Sequence, residues 1–209
     1  MKAIILVSII AMSLVYMSCH NDNDVLEEGM ELQSEEVLNE VEYNNLRYMR
    51  EEEKLARDVY LTLYDKWHAV IFKNISKSEQ SHMDALLVLI NKYNLSDPVG
   101  TNKIGVFHDS ELQDLYDDLV LLGSTSLLDA YKVGATIEDL DIFDLEEAVT
   151  LSDNEDINDI YEDLTRGSRN HMRAFYTQII NLGGNYTAQF ITQEKLDAII
   201  NSDRETGGN

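Results

Sequence analysis

The sequence predicts an all-α fold: a four-helix bundle with a long helical crossover between its second and third bundle helices. Three observations carry this. One proline and ten glycines in 209 residues, with 44% hydrophobic content, leave room for long unbroken helices around one substantial core. Four stretches repeat their apolar residues at alternating steps of three and four, the spacing of a helix that faces a bundle core. Between the second and third stretches lies an irregular passage with Gly100, Gly105 and the lone Pro98. A connection of that length lets the two flanking helices run parallel.

The first helix is predicted from about Ser34 to Trp67. Its seam is Leu46, Met49, Glu53, Ala56, Tyr60, Leu63 and Trp67. Glu53 is the one charged member. Glu51, Glu52, Lys54, Arg57 and Asp58 fall off the seam and are expected in solvent. The second helix, from about Ala69 to Tyr93, has the seam Phe72, Ile75, Glu79, His82, Leu86, Leu89 and Tyr93. Asn94 suits its C-cap, and Asp97-Pro98 opens the crossover loop. Within the crossover, Asp109 or Ser110 can cap a short helix to about Leu122, which Gly123-Ser124 ends.

The third bundle helix starts near Ser126, with the seam Tyr131, Gly134, Glu138, Asp141, Leu145 and Ala148. Asp144, Glu146 and Glu147 lie off it and are expected to be solvated. After a turn at Ser152 to Glu155, the fourth helix runs from about Asp156 to Leu182, where Gly183-Gly184 stops it. Its seam is Ile157, Tyr161, Leu164, Ser168, His171, Phe175 and Leu182. A last short helix, Thr192 to Asn201, brings Phe190, Ile191, Leu196, Ile199 and Ile200 back onto the bundle. The bundle domain thus covers residues 34–201, and 202–209 read as a frayed polar tail.

Charge on these seams is confined to one level. Glu53, then Glu79 with His82, then Glu138 with Asp141, then His171 sit mid-helix on the four bundle helices. Burying a carboxylate costs several kcal/mol unless a cation, a metal or strong hydrogen bonds compensate. Four carboxylates and two imidazoles suit two hard-to-borderline metal ions, and a Glu-x-x-His pair spans one turn, so both side chains reach one layer. Two plainer readings remain beside this one. Glu53 can pair with Arg57 one turn on, and the histidines can pair directly with carboxylates in a network without metal. Asp65-x-x-His68 has the same spacing but lies about three turns from Glu53, roughly 18 Å at 1.5 Å per residue, and reads as surface. His108, in the crossover, and His20, in an acidic stretch, are poor ligand candidates. The buried tyrosines read as core, with Tyr60, two turns from Glu53, the best exception.

The amino terminus reads as a targeting segment over residues 1–19. Met1-Lys2 precedes an apolar run from Ala3 to Val15, a short positive region and an apolar region of signal-peptide length. Tyr16-Met17-Ser18-Cys19 resembles a bacterial lipobox, which implies lipidation at Cys19, the only cysteine. Ser18 fits that pattern; Tyr16 departs from the usual small aliphatic residue. Residues 20–33 read as an acidic tether. The expected place is the bacterial cell envelope, exported and joined to a membrane through the lipid. A single cysteine excludes an internal disulfide and a cysteine-rich zinc or iron centre. The formal charge of −23 argues against nucleic acid as a partner and raises the local concentration of cations.

Glu53-Lys54-Leu55-Ala56-Arg57-Asp58-Val59-Tyr60 and Phe72-x-x-Ile75-Ser76-x-x-Glu79-x-x-His82 resemble the first two helices of rubrerythrins. More closely, Arg50 to Tyr60, Ser78-Glu79-Gln80-Ser81-His82-Met83 and Gly167-Ser168-Arg169-Asn170-His171 resemble an uncharacterised, rubrerythrin-related family of prokaryotic proteins in the ferritin-like superfamily. The resemblance covers about residues 45–180. It implies a ferritin-like four-helix domain and a dimetal carboxylate site, and peroxide reduction or ferrous iron oxidation as activities. Two departures count. Ser168 stands where rubrerythrins have a second glutamate, which makes Asp141 the replacement or leaves one position weak. No cysteine-rich electron-donor domain is present, so a donor must be external.

The expected function is a dinuclear iron (or manganese) oxidoreductase acting on dioxygen or hydrogen peroxide, with zinc a further possible metal. Its ligands would be Glu53, Glu79, His82, Glu138, Asp141 and His171. The rival readings are a non-catalytic envelope lipoprotein holding one ion, and an interaction module with a degenerate site.

Overall fold

Asn39 starts the first helix of the protein. Its side chain accepts from the backbone N–H groups of Val41 and Glu42, while the Glu42 carboxylate accepts from the Asn39 N–H, a reciprocal capping box that fixes the helix start. The computed structural model describes residues 38–207. The expected signal segment, Cys19, the tether and positions 34–37 lie outside the described residues. Among those described, all regular structure is helical: α1 Glu40–Trp67, α2 Val70–Lys92, α3 Ser110–Gly123, α4 Leu127–Leu151, α5 Glu155–Asn181 and α6 Gln193–Ile200. None of these helices is long and apolar enough to cross a membrane.

Four long helices, α1, α2, α4 and α5, make a bundle. Each packs on two of the others: α1 on α2 and α4, and α5 on α4 and α2. Side-chain contacts fix their directions. Glu42, at the start of α1, accepts from Ser152 Oγ and Asn154 Nδ2 at the end of α4. Trp67, at the end of α1, donates to the Gly123 carbonyl just before α4. These two helices are therefore antiparallel. Tyr93, after α2, donates to Asp156 at the start of α5, so that pair is antiparallel too. His68 and Asn94 adopt the left-handed conformation and end α1 and α2, and Gly183, with φ 71°, ends α5. Leu182 falls past the helix and is 49% exposed, so it is not part of the seam.

Because α2 ends at the Glu42 end and α4 starts at the Trp67 end, residues 94–126 must travel the length of the bundle. They do so over the outer face of α1, and this overturns one expectation. Glu51, Glu52, Lys54 and Asp58 are buried, not solvated. Glu51 accepts from the His108 and Asp109 N–H groups. Lys54 pairs with Asp58, donates to the Lys103 carbonyl and sits over the Phe107 ring. Asp58 accepts from the Gly105 N–H. Arg50 grips Asp97 with two nitrogens and donates to the Met83 carbonyl. The polar half of α1 is thus the dock for an irregular strap, whose backbone groups need partners once water is excluded.

The carboxy-terminal end is also fastened. Asp139 of α4, fully buried, accepts from Tyr186 Oη at 2.7 Å and from the N–H groups of Gln189 and Ile191. Leu196 and Ile199 of α6 are buried, while Phe190 is 41% exposed. The tail is not frayed through residue 205. Glu205 is held by Arg169 and Arg173 and by backbone bonds to Asn170. Replacing Asp139 by alanine removes one ionic acceptor from three donors at once. Urea unfolding is expected to show a loss of about 3 kcal/mol with far-UV helicity retained. A loss near zero would show the clamp to be idle.

Candidate metal centre

Glu53, Glu79, Glu138 and Asp141 are all buried in the bundle. Each occupies a seam position on α1, α2 or α4, so helix packing alone drives it inward. Two groups of potential ligands converge there: Glu53, Glu79 and His82, and Glu79, Glu138 and His171, each with its ligand atoms within 4.8 Å of one another. Glu79 belongs to both. Its Oε2 lies 2.8 Å from His82 Nδ1 and its Oε1 lies 2.9 Å from His171 Nδ1. His82 Nδ1 is also 3.1 Å from Glu53 Oε2, and His171 Nδ1 is 3.4 Å from Glu138 Oε2. The two imidazoles stack with ring centroids 5.6 Å apart.

These close approaches are mostly out of line for hydrogen bonds. Both Glu79 oxygens, Glu138 Oε2, His171 Nδ1 and both Asp141 oxygens are buried without a hydrogen-bond partner. Buried polar atoms are normally satisfied. So many orphans aimed at shared points are what a ligand set looks like when its lone pairs converge on an ion rather than on each other. The donor chemistry fits: carboxylate oxygen with imidazole nitrogen suits iron, manganese or zinc. Asp141 stands apart from both groups. It is beside them and fully desolvated, but its oxygens are not among the mutually close ligand atoms.

The electrostatics are divided accordingly. Burial pushes the Glu79 carboxyl up, but the His171 and His82 imidazoles outweigh it and bring Glu79 to about 2. Burial disfavours a charged His171, yet Glu79 and Glu138 raise it to about 10. His82 is likewise raised, against its burial, by Glu53 and Glu79. Burial lifts Glu138 to about 7 despite His171, and it also raises Glu53 and Asp141. A metal cation at this place would neutralise the same carboxylates that raise the two imidazoles.

Neighbouring residues shape the centre. Tyr60, fully buried, donates to Glu138 Oε1 at 2.6 Å and fixes that carboxylate's orientation. Ser168, in the place of a glutamate, is buried and turns its hydroxyl to the Leu164 carbonyl at 3.2 Å. Asp65, His68 and His108 are exposed and away from the centre. Arg57 pairs with Asp58 and Gln80, so it does not neutralise Glu53. Two contributors escaped the sequence reading. Glu52 and Asp144, assigned to solvent, are buried and half-buried, and the Asp144 carboxylate adds to burial in raising Glu52. The signal was present: Tyr48, Glu52, Leu55 and Val59 form a second partly apolar row on α1 beside the main seam. Gly167 is the other. A Cβ there would come within 2.6 Å of His82 Nε2.

Gly167→Ala is therefore expected to displace the His82 ring and cut metal retention in the group it serves, with the fold preserved. Metal content per chain, compared with wild type after identical loading, reads this. Unchanged content would show that the ring can give way at no cost.

The comparisons with known proteins fall on this same bundle. The chain is 55% identical over 172 residues to Uncharacterized protein MJ0754 of Methanocaldococcus jannaschii, an alignment covering 82% of this chain and 93% of that protein. The crystal structure of hypothetical protein MJ0754 superposes with a TM-score of 0.79 at 56% identity, over 80% of this chain and 96% of that one. The model of an uncharacterized protein domain, DUF2202, matches residues 42–203, from the capping glutamate of α1 to just past α6. A match of that extent includes every helix that supplies the centre, and on it the chain belongs to the DUF2202 family.

Proposed function

We propose that the chain is a metal-binding protein of the ferritin-like type, related to rubrerythrins, whose centre holds two iron ions and serves as an oxidoreductase of peroxidase or ferroxidase type. The observation that carries this is the sharing of Glu79. One carboxylate with an imidazole facing each oxygen is the arrangement of a bridge between two metal positions. In this reading Glu79 would serve both metal positions, Glu53 and Glu138 would each complete one of them, and His82 and His171 would each hold one ion. Asp141 is the sixth candidate ligand, outside both groups. Manganese or zinc fits the same donors. Bound ferrous iron would supply the electrons for reduction of dioxygen or hydrogen peroxide.

The chain's own residues prepare that chemistry. The bundle core excludes bulk water from the carboxylates, and Tyr60 holds Glu138 in place. The histidine edge is 12% exposed on each ring, which leaves a way in for a small oxidant. With no cysteine beyond Cys19, re-reduction needs an external electron donor. The apolar leader and Cys19 support export and a lipid anchor in a bacterial envelope membrane. A second reading, a non-catalytic protein with one ion, is favoured by Ser168, whose hydroxyl is turned to its own helix rather than to the centre.

Elemental analysis of the full chain after anaerobic iron loading tests the proposal. Wild type is expected to hold about two ions, and Glu79→Ala, which removes a ligand from both groups, less than half of that. Loaded reduced protein should consume peroxide or dioxygen. Loading should raise the thermal midpoint, and chelation should reverse the rise, because ions bind only the folded chain. A ratio near one without turnover selects the single-ion reading. No iron, manganese or zinc in wild type, with Glu79→Ala changing stability alone, overturns both in favour of an interaction module.

A further inference from the structure

Asp141 and Glu52 are each 2% exposed, and among the described residues no lysine, arginine or histidine pairs with them or with Asp144. Both Asp141 oxygens and Glu52 Oε1 have no hydrogen-bond partner. Buried acids without a counter-charge are expensive, and the fold offers no structural use for these. Burial, and then the nearby Asp144 carboxylate of α4, raise Glu52 of α1; burial and then Glu52 raise Asp141.

The three acids are in series. Asp144 is half-buried and flanked by the exposed Phe143 and Glu147, so it stands at the mouth. Asp141 is one turn further in on α4, and Glu138 of the centre is one turn beyond that. Three residues of helix advance about 4.5 Å, a short step for an ion between carboxylates. Glu52 faces the upper part of this row from α1, and Glu53, its neighbour in sequence, belongs to the centre. The row therefore runs along α4 from a half-buried acid to a ligand of the centre.

We propose that Glu52, Asp144 and Asp141 form a cation-transfer ladder through which a divalent metal ion enters the centre between α1 and α4. The donor set supports passage over residence. It is all oxygen, whereas each inner group adds an imidazole nitrogen, and first-row divalent ions generally favour the mixed set. The ladder rests on the metal-binding reading of the inner centre and accounts for Asp141, which neither ligand group includes.

Cobalt(II) uptake by the metal-free full chain tests it, followed by stopped-flow absorbance, with bound cobalt measured at equilibrium. The double variant Glu52→Gln, Asp144→Asn is expected to load at least about tenfold more slowly than wild type and to reach the same final content. Asp144→Asn alone, at the mouth, should slow loading to a lesser degree. Asp117→Asn with Asp118→Asn, exposed on α3, removes the same formal charge and should leave the rate unchanged. Wild-type rates in the double variant, equal slowing in the α3 control, or a reduced final content in the double variant each overturn the ladder while leaving the centre standing. Failure of wild type itself to bind cobalt overturns the centre and the ladder together.

Discussion

Glu79 is a carboxylate at the middle of a helical bundle with an imidazole against each of its oxygens, and the four long helices are arranged to keep those three groups together. An isolated buried carboxylate costs several kcal/mol. Glu79 avoids this cost through His82 on its own helix and His171 on α5. That requires α2 and α5 to lie side by side, which they do. Glu53 from α1 and Glu138 from α4 then close the two ends. Every bundle helix therefore contributes to one layer, and a slip of any helix by one turn would break it. Close approach of the helices follows: Gly134 leaves room for the Phe175 ring, where a Cβ would come within 2.5 Å, and Gly167 leaves room for His82.

The charged run from Arg50 to Asp58 works in two directions. Glu53 points inward to the centre. Arg50, Glu51, Lys54 and Asp58 point outward, where residues 97–109 pass over them. The strap has few apolar residues of its own, so polar side chains on α1 supply its hydrogen bonds. Each of those groups is satisfied, which is the condition for a buried polar network to add stability. Asp141 and one oxygen of Glu52 are different because they have no hydrogen-bond partner. That contrast with the satisfied groups around them is what the proposed entry route accounts for.

The inward faces were legible in the sequence because a period of 3.6 residues reports them directly. The seam positions of Leu46, Met49, Glu53, Ala56, Tyr60 and Leu63 are all buried, and the convergence of Glu53, Glu79, His82, Glu138 and His171 follows from reading the four seams in one layer. Periodicity says nothing about what covers the opposite face. Glu51, Lys54 and Asp58 looked solvent-facing because their cover comes from a strap some 50 positions away that has no periodic pattern. The tail was misread for the same reason. Glu205 is polar and terminal, but Arg169 and Arg173 present a fork of donors to it, and such a pairing shows only in three dimensions.

Ser168 bears on the balance between the two ligand groups. Counted by sequence, the His171 half lacks a glutamate. Counted by geometry, each half has two carboxylates and one imidazole, because Glu79 faces both ways. On the proposed two-metal reading, what the serine would remove is a second bridge, not a terminal ligand. Asp141 does not restore that bridge, since its oxygens lie outside both groups. A single-bridge centre holds its ions less rigidly than a doubly bridged one and leaves more of each ion open to a small molecule. The unpartnered acids beside it then make sense as a route for ions that are not permanently fixed. A centre built to retain its metals would gain nothing from keeping Glu52 and Asp141 buried and uncompensated next to it.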